Sequence, residues 1–177
     1  QKIFDIIKIH SQHGGFSVVT GSPGVGKSVL LENIQHLAKE RDTIVISMSR
    51  TMHTYINILK QLADSLKIEV SVRVLEKELI QVAYNYIRDR KTIYTVIDEA
   101  HLLDMEVLRK LRLLFDQFPK KHNLVLFGQR DLLYYLSMKV NEDIKTRVTY
   151  SENILPLNDI DLEQYIIKEL ETVGLGL

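Results

Sequence analysis

Eight consecutive residues, Gly21-Ser22-Pro23-Gly24-Val25-Gly26-Lys27-Ser28, place glycines, a lysine and a hydroxyl in the order Gly, four free positions, Gly-Lys, then Ser. Glycine lets backbone N–H groups turn inward and approach an anion without a Cβ in the way. A lysine at that position reaches β- and γ-phosphates, and the following hydroxyl ligates Mg²⁺. The stretch therefore reads as a P-loop, with Gly21, Ser22, Pro23, Gly24, Val25, Gly26, Lys27, Ser28 and Val29 as the nucleotide-binding residues. ATP and Mg²⁺ are the cofactors it implies. The competing reading is a plain glycine turn between a strand and a helix.

A second stretch supplies carboxylates. Thr92-Ile93-Tyr94-Thr95-Val96-Ile97 is β-branched and aromatic and runs into Asp98-Glu99-Ala100-His101. Ligands of open α/β sheets bind at the carboxyl ends of strands, which is where this strand would deliver its acids. Asp98 would hold Mg²⁺ through its water shell, with Ser28 as the other metal residue, which suits a cation that dehydrates reluctantly. Glu99 would orient and polarise an attacking water. Lys27 and Glu99 are thus the candidate catalytic residues of an ATP-hydrolysing site. A strand that simply runs into an acidic helix start is the bland alternative. His101 reads as a helix-start residue.

These groups need a scaffold, and the flanking pattern supplies one. Phe16-Ser17-Val18-Val19 reads as a strand leading into the glycine loop, and Val29, Leu30, Leu31, Ile34, Leu37 and Ala38 give helical spacing leading out. Residues 2–12 read as a helix broken by Gly14-Gly15, and Thr43 to Met48 as a strand. Helices are expected over 51–66, 71–90 and about 103–118, the last ended by Pro119. Leu124-Val125-Leu126-Phe127 reads as a fourth strand, 131–139 as a helix, Asn153 to Leu157 as a short fifth strand, and 159 to about 173 as a final helix. Strands that are apolar throughout imply a parallel sheet covered on both faces.

Bulk properties remove several classes of function. The 23 basic and 23 acidic residues cancel, so no global field attracts nucleic acid or an anionic membrane. There is no cysteine, hence no disulfide framework or thiolate metal site, which fits a reducing compartment. The sequence shows neither a run of membrane-spanning length nor a signal-peptide layout, so a cytoplasmic location is expected. A start at Gln1 and a stop in a helical pattern read as a piece of a longer protein. Ser-Gly-Gly-Gln and Asn-Lys-x-Asp motifs are lacking, which argues against transporter-type ATPases and GTPases. His10 and His13 make a poor metal pair. Arg109, Arg112 and Asp116 form a polar stripe, read as a solvated face rather than a DNA or partner surface, and Lys120-Lys121-His122 reads as a soluble loop.

Together the strand–P-loop–helix, Val96-Ile97-Asp98-Glu99-Ala100-His101, Leu126-Phe127-Gly128-Gln129 and Arg147 resemble an AAA+ ATPase core. Within that class the chain is similar to ExeA-type (GspA-type) secretion ATPases and to TnsC-like transposition ATPases. Asp98 to Leu103, Leu108 to Leu114, Gly128 to Leu132, Arg147 and Ile154 to Leu157 carry this likeness, which covers nearly the whole chain. It implies a three-layer α/β sandwich with a five-stranded parallel sheet in the order 5-1-4-3-2. Residues 1–158 would be the core and 159–177 the first helix of a truncated C-terminal lid. It further implies that Gln129 senses the γ-phosphate and that Arg147 reaches the site of a neighbouring subunit, so that a homo-oligomer binds ATP and ADP. The family's second arginine has no counterpart near Ser151. Two uses remain open: powering a secretion apparatus, with inner-membrane association through residues elsewhere, or regulating transposition on duplex DNA. A non-hydrolysing nucleotide switch is the third.

Overall fold

The computed structural model describes residues 2–48, 54–172 and 174. Helices α1 (Lys2–His10), α2 (Lys27–His36), α3 (Tyr55–Ser65), α4 (Leu75–Arg88), α5 (Met105–Phe115), α6 (Arg130–Ser137), α7 (Glu142–Lys145) and α8 (Asp159–Thr172) alternate with five strands. The strands are β1 (Phe16–Gly21), β2 (Thr43–Met48), β3 (Thr92–Ile97), β4 (His122–Gly128) and β5 (Tyr150–Ile154). All pairings are parallel, and the order β2-β3-β4-β1-β5 is the expected 5-1-4-3-2 read from the other edge.

Successive strand residues point to opposite faces, and each face has its own core. Val18, Ile93, Ile97, Leu124 and Leu126 pack with Ile58, Leu59, Leu62, Leu79, Leu108, Leu111 and Leu132 from α3 to α6. Val19, Tyr94, Val96, Val125 and Phe127 pack with Ile7, Leu30 and Ile34 of α1 and α2. Burial on both sides is why β1 and β4 are enclosed along their whole length, and each fully buried Leu or Ile contributes about 2 kcal/mol. The result is the three-layer sandwich.

Several sequence expectations shift at the edges. β5 starts at Tyr150 and ends at Ile154, so it lies three residues before the expected Asn153–Leu157 segment. Thr149 sets its start: its N–H donates to Phe16 O at 2.8 Å and its hydroxyl accepts from Phe16 N at 3.0 Å. Pro156 has no N–H to continue the ladder, and Leu155 and Leu157 stay exposed. As an edge strand with polar Ser151 and Glu152 outward, β5 lacks the apolar run that marks the inner strands. The 71–90 helix divides into a 3₁₀ turn at Val72–Val74 and α4. Residues 51–53 of the expected 51–66 helix lie outside the described residues, as do Val173 and residues 175–177 at the end of the chain.

Two polar stretches are less exposed than their composition suggests. The Arg109-Arg112-Asp116 stripe is covered by the short helix α7, with Arg109 Nε donating to Asp143 Oδ2 at 3.1 Å and Arg112 pairing with Asp116 at 3.3 Å. Sequence periodicity along α5 alone could not reveal a helix arriving from residues 142–145. His122 begins β4 instead of ending a loop. Its ring lies between Phe115 and Phe118, 4.4 and 4.8 Å away, with Nε2 2.8 Å from Thr95 Oγ1. Burial pushes its pKa down to about 3, so it is neutral in the fold.

Candidate functional site

The carboxyl ends of β1, β4 and β3 lie side by side, and each leads into one of the segments singled out by sequence. β1 ends at Gly21 and opens into the glycine loop, β3 ends at Ile97 before Asp98-Glu99, and β4 ends at Gly128 before Gln129. Register fixes their height, with Thr20 opposite Gly128 and Leu126 opposite Ile97. Neighbouring strands run about 4.8 Å apart, so the loop and the acidic pair are separated by roughly 10 Å with the tip of β4 between them.

The loop is built to present backbone donors. Gly24 and Gly26 have φ of +82° and +98°, and a Cβ built on either meets nothing within 4 Å, so the glycines serve conformation in an open cradle rather than packing. Gly21 is the opposite case. A Cβ there would come 2.6 Å from Val25 Cγ2 and 2.9 Å from Ile154 O, so the loop's first residue is held tight against the end of β5. Gly26 caps α2 without any side-chain hydrogen bond, and the first turn carries no acid. The first N–H groups of a helix have no intrahelical partner, and with the helix dipole they favour an anion. Lys27 Nζ donates to the carbonyls of Gly21 and Ser22 at 2.6 and 2.8 Å, so the ammonium lies within the loop's own curve. Ser28 and Val29 are exposed on the first turn of α2.

Across β4, Asp98 N–H donates to Met48 O at 3.0 Å, tying the end of β3 to β2. Asp98 Oδ1 accepts from Glu99 N–H at 2.8 Å. Glu99 is left-handed, φ +53° and ψ +35°, a conformation that costs a non-glycine residue about 1 kcal/mol. Its Oε2 lies 3.4 Å from His101 Nδ1, and the same nitrogen accepts from Gln129 N–H at 3.3 Å. Sequence reading treated His101 as a helix-start residue. The only signal that could have raised it was its place three positions after Asp98. Gln129 itself is exposed at the tip of β4.

The donor set fits a phosphate and a hard cation: an uncapped helix N-terminus, an ammonium, an exposed hydroxyl and a half-buried carboxylate within one strip of the sheet edge. Among the described residues no cluster of three or more His, Cys, Asp or Glu side chains could cage a metal alone. A cation here would keep waters and lean on the phosphate.

Arg147 is not part of this strip. It precedes β5 and therefore lies at the amino ends of the strands, 3.4 Å from Asp116 and with its side chain 56% exposed. A cavity of about 300 Å³ opens there, lined by Arg112, Asp116, Lys120, His122 and Arg147 among others. Among the described residues no helix is long and apolar enough to cross a membrane.

Comparison with known proteins agrees with this architecture. The family model described as AAA domain matches residues 9–136. General secretion pathway protein A of Aeromonas hydrophila is 26% identical over 175 residues, covering 91% of this chain and 30% of that protein. The Aeropyrum pernix ORC2 protein, solved in ADPNP–ADP complexes, superposes with a TM-score of 0.73 at 14% identity, over 96% of this chain and 51% of that one. The Aeropyrum pernix ORC1 protein in complex with DNA gives 0.65 at 14% identity, over 97% and 48%. At such identities these structures show the fold. The chain spans about a third of the length of the secretion relative and about half that of the solved ones.

Proposed function

This chain belongs to the AAA domain family of P-loop ATPases, and from that premise we propose that it binds ATP with Mg²⁺ and hydrolyses the γ-phosphate. One observation carries the reading: the uncapped N-terminus of α2, Lys27 and the Asp98-Glu99 pair stand at the carboxyl ends of parallel strands β1 and β3, on either side of the tip of β4. The backbone from Gly21 to Val29 would bind the phosphates, with Lys27 exchanging the Gly21 and Ser22 carbonyls for phosphate oxygens. Ser28 and Asp98 would hold Mg²⁺, which neutralises charge on the phosphates when bound. Glu99 takes the proton of an attacking water and Gln129 reads the γ-phosphate from the tip of β4. Arg147, remote from its own loop and exposed, suits a residue that acts in a neighbouring copy's site, where an arginine stabilises transferring charge.

Residues 1–158 form the core in this reading, and α8 begins a lid. The absence of any buried residue on α8, with Ile160, Tyr165, Ile166 and Ile167 exposed, supports an element whose packing partners are elsewhere. The secretion relative favours service to a secretion apparatus, on the cytoplasmic side of a membrane, over a DNA role. The arginines of α5 are engaged in ion pairs with Glu106, Asp143 and Asp116, which supports reading that stripe as structural rather than as a duplex-DNA surface. Phosphate release with Mg-ATP, with and without duplex DNA and against Lys27→Ala, tests both parts. Turnover that Lys27→Ala abolishes and DNA leaves unchanged is expected. Stimulation by DNA that fades as salt rises would overturn the secretion assignment, and activity retained in Lys27→Ala would overturn the site.

A further inference from the structure

His101 stands between the two segments that the ATPase reading assigns to chemistry, and its side chain is only 11% exposed. One atom meets both. Nδ1 is 3.3 Å from the Gln129 backbone nitrogen, whose N–H donates to it, and 3.4 Å from Glu99 Oε2. A ring nitrogen accepts through a lone pair or donates through a proton, never both at once. With the proton on Nε2, Nδ1 accepts the Gln129 amide and turns a lone pair toward the Glu99 carboxylate, which it cannot hold. When the proton sits on Nδ1, that nitrogen donates to Glu99 Oε2 and the Gln129 amide must leave. The exchange releases one proton from Nε2 to solvent and takes one up at Nδ1, so no net charge changes.

The surrounding packing makes the two contacts interdependent. A Cβ on Gly128 would lie 3.3 Å from His101 N and 3.5 Å from His101 Cβ, so the end of β4 presses on this residue as closely as a glycine allows. A shift of the β4 tip therefore bears on the His101 backbone and Cβ, which carry the ring. Glu99, in its left-handed backbone conformation, lies two residues from it in the same turn.

We propose that His101 is a positioning residue that couples the orientation of Glu99 to the tip of β4. While the Gln129 amide occupies Nδ1, the Glu99 carboxylate is unsupported and turnover is idle. Engagement of Gln129 by the γ-phosphate withdraws that amide, and Nδ1–H then anchors Oε2 so that Oε1 faces the attacking water. This inference rests on the ATPase reading given above.

Steady-state phosphate release with Mg-ATP is compared for wild type, Glu99→Gln, His101→Leu and His101→Asn, alongside the imidazole ¹⁵N shifts of wild type. Misplacing a general base by about an ångström costs on the order of tenfold to a hundredfold in rate. His101→Leu is expected to lose about tenfold in kcat with KM for ATP changed less than about twofold. Asparagine offers either a donor or an acceptor near the Nδ1 position and is expected to recover most of the rate. Nδ1 is expected to be unprotonated with Mg-ADP and protonated with a non-hydrolysable Mg-ATP analogue. Wild-type kcat in His101→Leu, a loss that asparagine does not repair, or the same tautomer in both nucleotide states overturns the proposal. A wild type releasing no more phosphate than Glu99→Gln overturns the ATPase reading itself, and the proposal with it.

Discussion

Replacing His122 with phenylalanine is expected to flatten the acid limb of the protein's stability curve. Burial between Phe115 and Phe118 lowers the His122 pKa to about 3, against the ordinary value of 6.5 in an unfolded chain. Between those two values the unfolded state binds a proton that the folded state refuses. The associated stability is therefore fully present above pH 6.5 and is lost as pH falls toward 3. Linkage sets the slope at about 1.4 kcal/mol per pH unit, so moving from pH 7.5 to pH 5 removes about 2 kcal/mol through this one side chain. That is a large fraction of the roughly 5–15 kcal/mol that holds a domain folded. Phenylalanine keeps the aromatic packing but orphans the buried Thr95 hydroxyl, which costs about 1–3 kcal/mol at every pH. Urea unfolding of both proteins at pH 7.5 and pH 5 separates the two effects. Wild type should lose about 2 kcal/mol more than His122→Phe over this interval. Equal losses would refute the argument, because they would mean that His122 protonates in the fold.

Glu99→Gln should leave ATP affinity within about twofold while lowering turnover by about a hundredfold or more, because the amide cannot take a proton; equal rates would remove Glu99 from the chemistry. Gly21→Ala should destabilise the fold by about 1–3 kcal/mol through overpacking against Val25 and Ile154, seen as a lowered Tm. Gly24→Ala should cost only the roughly 1–2 kcal/mol of its left-handed backbone, since it has open space around it; a larger loss than at Gly21 would contradict the geometry. Arg147→Ala should change unfolding free energy by under about 0.5 kcal/mol, as its pairing with Asp116 is largely solvated. If Arg147 serves a neighbouring copy, the same variant should lose turnover only where subunits assemble, and its concentration-dependent rate would reveal this.

Some of this protein was legible in the chain alone because local chemistry is encoded locally. The glycines, Lys27 and Ser28 announce their loop by spacing, and the apolar runs at residues 16–19, 92–97 and 124–127 announce inner strands because both of their faces are buried, while the apolar run at 43–48 announces a strand that proves to be a partly buried edge. The strand order came with the resemblance rather than from periodicity. Tertiary structure decided what depends on partners distant in sequence. β5 is an edge strand with consecutive polar residues Ser151, Glu152 and Asn153, so no apolar run marks its start, which the pairing of Thr149 with Phe16 sets. The α5 stripe looked solvated because α7, which covers it, is a four-residue helix with too few residues to show a period. His122 looked like loop because nothing in Lys120-Lys121-His122 reveals that Phe115, Phe118 and Thr95 enclose its ring. His101 has one partner, Glu99, in its own turn, but the Gln129 contact exists only because β3 and β4 pair in register, since a hydrogen bond between residues 101 and 129 has no sequence period to betray it.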